Sequence, residues 1–155
     1  METDFEAKLK RFIMDNGILA EHMHFDQSCH SVDEAAKAAN ASRDVFVKNV
    51  CMIDANGNVL VCIVKGEDRV SKARVSQLLP SEKPRMMNAG EVLEKTGYPA
   101  GGTPSFGYNA SFLVDERVME KDFVLSGGGS ENSLVRISPK ELLKANNALV
   151  ARIRD

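Results

Sequence analysis

Two runs of β-forming residues, 45–53 (VFVKNVCMI) and 59–64 (VLVCIV), flank the segment Asp54-Ala55-Asn56-Gly57-Asn58. No other feature restricts the fold as strongly. Asn-Gly favours a tight turn with two successive positive φ angles, so the runs are expected to pair as an antiparallel hairpin. With a two-residue turn at Asn56-Gly57, Cys51 falls opposite Cys62 and Lys48 opposite Lys65. Lys48 shares a strand face with Phe46, Val50 and Met52. A lysine among such side chains must reach water, pair with a carboxylate, or meet an anion from outside. Two lysines facing each other also repel, and a bound polyanion would relieve that repulsion.

The surrounding pattern alternates helices with strands, so the class is α/β or mixed α+β. Phe5, Leu9, Phe12 and Ile13 mark one face of an opening helix that Gly17 ends. Residues 20–26 read as a strand. Ser31 and Glu34 form a capping box for a second helix, with Val32, Ala35, Ala36 and Ala39 as its buried stripe. Ser71 caps a third helix to Leu79. A strand is expected at 83–87, and a helix from Asn88 to Gly97. Strands are expected at 111–114, 122–126 and 133–137, the last two joined by a turn at Gly127-Gly128-Gly129. Ser138-Pro139-Lys140-Glu141 starts a last helix that runs to Asn146.

A chain of 155 residues with 43% apolar and 27% charged side chains suits one domain, 1–155, whose core needs neither disulfides nor a structural metal. The N-terminal METDFEAKLKRF has no apolar core, so no secretory signal is expected there. Three cysteines suit a reducing cytoplasm. Cys51 and Cys62 read either as a redox couple or as two small core hydrophobes. A hydrogen-bonded strand pair is poorly shaped for a disulfide, so both are expected as free thiols in one sheet layer. A net charge of −2 argues against indiscriminate binding of long nucleic acid, although Arg43, Lys65, Arg69, Lys72 and Arg74 would make a local basic surface near Lys48.

The sequence holds no phosphate-binding Gly-x-x-x-x-Gly-Lys, no Gly-x-Ser-x-Gly elbow, no His-Glu-x-x-His and no Cys-x-x-Cys. His22, His24 and His30 lack the spacing of a metal set and read as surface or capping residues. The 97–107 segment (GYPAGGTPSFG) stands out. Four glycines and two prolines exclude regular structure. They suit either a structural Ω-loop or a backbone that approaches a ligand closely.

Several motifs then occur in order: Val47-Lys48-Asn49-Val50 after the Val/Glu/Ala/Ala helix, the Asn-Gly hairpin, and Gly-Tyr-x-x-Gly-Gly-x-x-x-x-Gly at 97–107. Val114-Asp115-Glu116, Ser126-Gly127-Gly128 and Ser138-Pro139-x-x-Leu142 follow. This ordered set resembles the YbaK-like family, free-standing relatives of the editing (insertion) domain of bacterial prolyl-tRNA synthetase. The resemblance implies a single compact domain with a mixed, partly barrel-like sheet flanked by helices. It implies hydrolysis of mischarged tRNA, of the cysteine or alanine type on proline tRNA, acting at the 3′ aminoacyl-adenosine end, with no metal or cofactor. It implies contact with prolyl-tRNA synthetase and no membrane partner.

The resemblance places the family's strand lysine at Lys48 and its substrate loop at Gly101–Gly107. Lys48, Gly101, Gly102 and Thr103 are then the expected catalytic positions. Asn49, Pro104, Ser105, Phe106, Gly107 and the turn Gly127, Gly128, Gly129 join Lys48 as expected substrate contacts. Many members carry proline where this chain has Ser105, so Ser105→Pro is expected to change substrate preference more than stability. No histidine follows His30, unlike alanine-type members, and the Ser-Gly-Gly turn is similar to the cysteine type. The 97–107 loop is expected to line the largest functional pocket, and Lys48 to face a cleft bounded by the 101–107 and 127–129 loops with no firm carboxylate partner.

Overall fold

A computed structural model describes residues 4–79 and 84–155. The helices are α1 (Asp4–Asp15), α2 (Val32–Ala39), α3 (Lys72–Leu78), α4 (Ala89–Thr96) and α5 (Pro139–Asn146). The strands are β1 (Ala20–His24), β2 (Val47–Ile53), β3 (Val59–Lys65), β4 (Arg85–Met86), β5 (Ser111–Asp115), β6 (Val124–Gly127), β7 (Ser133–Ile137) and β8 (Leu149–Ala151). The class is mixed α+β. The expected caps form: Ser31, Ser71, Asn88 and Ser138 each accept a backbone N–H of the first turn, and Asn88 with Glu91 makes a full capping box. The strand expected at 83–87 is reduced to Arg85–Met86, and Lys83 lies outside the described residues.

The strands form two sheets. One is antiparallel, in the order β1-β7-β6; the other is mixed, in the order β4-β2-β3-β5-β8. A parallel bridge between Phe46 and Leu125 brings the sheets together at the start of β2. The two sheets meet there without closing into a barrel. The largest core cluster joins both sheets to α1, α4 and α5 through Leu9, Val61, Val92, Val135 and Leu142. A second cluster, with Met52, Leu60, Cys62 and Val75, packs α3 on the other face of the mixed sheet. A third seats α2 on the small sheet through Ala35, Phe46, Leu125 and Leu134.

The hairpin forms, but its register differs from the two-residue turn by one residue. Ile53 pairs with Val59, Cys51 with Val61 and Lys48 with Val64. Asp54 causes the shift. Its Oδ1 accepts the N–H groups of Asn56 and Asn58, each at 2.9 Å, while the Gly57 N–H donates to Asp54 O and Gly57 takes φ +83°. The loop is therefore longer by one residue, and each cross-strand partner moves by one. Two expectations are corrected. Lys48 and Lys65 do not face each other. Cys51 and Cys62 lie on opposite faces of the sheet, in separate core clusters. Both are free thiols, and burial pushes them up to about 11 and about 12.

Candidate functional site

A cleft of about 210 Å³ opens where β2 meets β6. Lys48, Asn49, Gly101, Gly102, Thr103, Ser126 and Gly127 line one part of it; Cys29, His30, Ser31, Val32 and Ala35 line another. Phe46, Leu125 and Leu134 add apolar surface. The cleft is not the largest. One of about 430 Å³ lies by the hairpin turn, and one of about 450 Å³ between α1 and α5. Gly101, Gly102 and Thr103 of the glycine loop line this smaller cleft and not the larger two.

Lys48 is half-buried and has no hydrogen bond or ion pair with another described residue. Lys65 is the opposite case. Its side chain is 6% exposed, and its ammonium lies 2.6 Å from Asp44 Oδ1 and 2.9 Å from Glu67 Oε1. Those partners raise its pKa. Asp44, which also accepts from Lys121, is drawn down to about 2. Arg43 pairs with Asp33 at 3.0 Å. Of the five basic residues grouped by sequence, Lys65 and Arg43 are thus committed to carboxylates, so those two are not part of a free basic patch.

Asn49 ties the cleft wall together. Its Nδ2 donates to Thr103 O at 2.9 Å and to Ser126 Oγ at 3.4 Å, and its Oδ1 accepts from Ser105 Oγ at 2.7 Å. The Ser105 and Ser126 hydroxyls are 2.5 Å apart. Asn146 Nδ2 donates to Ser105 O, and Thr103 Oγ1 to Pro99 O. An asparagine suits this position because one side chain offers both a donor and an acceptor to two segments. Ser105 is fully buried, so Ser105→Pro removes a hydroxyl that Asn49 and Ser126 use. That loss gives Ser105→Pro a stability cost as well as any effect on substrate preference.

The glycines serve close contact between two backbone segments. Gly129 N donates to Gly102 O at 2.7 Å. A Cβ on Gly102 would sit 2.4 Å from Ser130 N, and one on Gly127 would sit 2.2 Å from Thr103 O. Neither fits. A Cβ on Gly101 would meet only flexible groups, Glu131 Oε1 at 2.9 Å and His30 Nδ1 at 3.3 Å.

The expected site residues therefore separate. Lys48, Asn49, Gly101, Gly102, Thr103 and Gly127 line the cleft. Pro104, Ser105, Phe106, Gly107, Gly128 and Gly129 do not. They stand behind the wall, where Phe106 packs 6.0 Å from the Phe12 ring, Tyr108 donates to Pro104 O, and Gly107 faces Leu9 and Phe12. Gly128 abuts Ser133 and Leu134, and Gly129 abuts Phe5 and Glu6. Pro104, Ser105, Phe106, Gly128 and Gly129 are buried and Gly107 is half-buried, all away from the cleft lining.

Sequence reasoning did not foresee the wall formed by Cys29 to Ala35 or the hydroxyl of Ser126. It also overlooked Glu6, which is buried on α1. Glu6 Oε1 lies 2.8 Å from His24 Nδ1, and its Oε2 accepts from Ser130 Oγ, which is 2.8 Å from Ser133 Oγ. The spacing Glu6, Leu9, Ile13 was a usable sign, since it puts the carboxylate on the buried face. His22 Nε2 meets Gly128 O at 2.8 Å and His30 Nδ1 lies 3.3 Å from Glu131 Oε1, so each of the three histidines has a polar partner. Among the described residues no group of three or more His, Cys, Asp or Glu side chains clusters as a metal set.

Comparison with known proteins extends this picture. The sequence profile of the aminoacyl-tRNA editing domain matches residues 26–145. The uncharacterized protein YwhH of Bacillus subtilis is 28% identical over 120 residues, 76% of either chain. A proline--tRNA ligase of Oleidesulfovibrio alaskensis is 23% identical over 113 residues, which are 72% of this chain and 20% of that enzyme. A crystal structure of a candidate trans-editing enzyme for prolyl tRNA synthetase superposes with TM-score 0.91 at 25% identity, covering 100% of this chain and 99% of that one. The hypothetical protein APE2540 superposes with TM-score 0.87 at 31% identity, over 96% of this chain and 99% of the other.

Proposed function

The chain belongs to the aminoacyl-tRNA editing domain family, and on that premise we propose that it hydrolyses the ester of mischarged tRNA in trans. The observation that carries this reading is Lys48. It is a strand lysine with no described carboxylate partner, in a cleft walled by Gly101-Gly102-Thr103 and Ser126-Gly127. An ammonium left without an internal partner is available to an anionic or hydroxyl-rich ligand, and the 3′ terminus of tRNA is both.

An aminoacyl ester is already activated toward water. Its hydrolysis needs orientation and stabilisation of the developing oxyanion more than a strong nucleophile. In this reading Lys48 holds the terminal nucleotide. The backbone of Gly101 to Thr103 orients the ester, and Asn49 keeps that backbone against Ser126. The small cleft with its apolar surface suits a small amino acid. We place cysteine on proline tRNA first and alanine second, following the Ser-Gly-Gly turn, with prolyl-tRNA synthetase as the source of the mischarged tRNA.

The test is a deacylation screen against proline tRNA charged with alanine, cysteine or serine, using wild type and Lys48→Ala. The expected result is release of cysteine or alanine by the wild type and at least tenfold slower release by the variant. Tight binding of the charged tRNA without release would replace the enzyme reading with a non-catalytic module that recognises tRNA ends.

A further inference from the structure

Resting on the deacylase reading, we propose that His30 is a further catalytic residue of this cleft, the general base for the attacking water, with Glu131 as its positioning residue. His30 lines the same cleft as Lys48 and Gly101. Its Nδ1 lies 3.3 Å from Glu131 Oε1. A carboxylate beside Nδ1 favours a proton on that nitrogen, which in the neutral ring leaves the lone pair on Nε2. That is the tautomer a base requires.

The placement of His30 is built by the fold. Phe25 N donates to Asn132 O at 2.7 Å, Cys29 N to Glu131 O at 2.5 Å, and Asn132 Nδ2 to Gln27 O at 3.1 Å. These bonds stitch the segment before α2 to the turn that carries Glu131. His30 N then donates to Ser28 Oγ at 3.2 Å, which fixes the last step. Gly101 supplies the room. Any side chain there would press on Glu131 and His30 together.

The other titratable lining groups do not suit the role. Burial and the nearby Glu34 raise the Cys29 thiol, which keeps it protonated. The Lys48 ammonium can only donate. Asp33 and Glu34 belong to the first turn of α2, outside the lining of the cleft.

In the proposed step, His30 Nε2 takes a proton from water while the water oxygen bonds to the ester carbonyl carbon. The bond from that carbon to the ribose oxygen then breaks. His30 returns the proton to the ribose oxygen, giving free amino acid and uncharged tRNA.

The experiment uses whichever mischarged tRNA the wild type cleaves fastest. His30→Ala should lower kcat by about a hundredfold with little change in KM, and added imidazole should restore part of the rate. His30→Gln keeps a donor toward Glu131 but offers no base, and should be equally slow. Glu131→Ala should be slowed less and should not respond to imidazole. His30 is exposed, so the variants should melt like the wild type. Wild-type rates in both His30 variants would overturn the proposal, as would a loss that appears in KM and ignores imidazole. A wild type that releases no amino acid overturns the deacylase reading and this proposal together; an active wild type with an equally active His30→Ala overturns this proposal alone.

Discussion

The seam behind the cleft and the rim around it adjoin each other, yet they follow opposite rules. In the seam, Gly102, Gly127 and Gly128 bring backbone against backbone with no room for a Cβ, and the buried hydroxyls of Ser105 and Ser126 are partnered. At the rim, Lys48 is unpaired among the described residues, and His30 and Glu131 are more than half exposed. Close packing makes the seam intolerant of added volume. The rim leaves polar groups open to solvent. A glycine-rich sequence therefore marks both the frame of a site and the site, and only the surroundings of each glycine tell them apart.

This contrast can be broken first at Gly102. Gly102→Ala or Gly127→Ala should destabilise the fold by about 4 kcal/mol or more, lowering Tm by roughly 10 °C or preventing soluble expression. A near-normal melting curve would mean that the seam can yield. Gly101→Ala, one residue away, should melt within a few degrees of wild type and lose activity instead, since its Cβ presses on the His30–Glu131 pair.

Asn49→Ala tests the joint between the two regions. It leaves Thr103 O without its side-chain donor and Ser105 Oγ without its acceptor. A cost of about 2–3 kcal/mol is expected in thermal or denaturant unfolding, together with slower deacylation.

The two lysines of the hairpin sharpen the comparison. Lys48→Ala should leave Tm unchanged or higher while deacylation falls by roughly 10–150-fold. Lys65→Ala should do the reverse, lowering Tm by a few degrees with deacylation retained, because Asp44 and Glu67 lose a buried partner. An unfolded Lys48→Ala, or a fully active one, would erase the distinction.

The smallest effect expected is on acid stability. Hydrogen bonds from Lys121 and Lys65 depress Asp44 to about 2 from an ordinary 3.8. A depressed carboxyl contributes stability that is present above its unfolded value and lost as pH falls through its folded value. Solvent screening keeps the contribution small. Melting curves between pH 5 and pH 2 should show a slightly shallower acid loss for Asp44→Asn than for wild type.

Much of the molecule follows from local rules legible in the chain. Ser31, Ser71, Asn88 and Ser138 cap the helices where their side chains can satisfy free N–H groups. The opening amphipathic helix and the hairpin form in the expected segments, although β6 runs on through Gly127 and the turn falls at 131–132, and the ordered motifs identify the family. All of these are short-range effects: dihedral preference, capping and periodicity act within a few residues. Their reach ends at Asp54, whose carboxylate shifted the hairpin by one residue and so separated Cys51 from Cys62. It ends again at Ser105, Phe106 and Gly107, which look like a binding loop in sequence but face the core. Whether Lys48 or Lys65 would keep a free ammonium depended on where Asp44 and Glu67 arrived. Whether His30 would meet Glu131 depended on two segments a hundred residues apart being stitched together. Such pairings are fixed by long-range packing and by which polar groups find partners, and no window of the sequence contains both members.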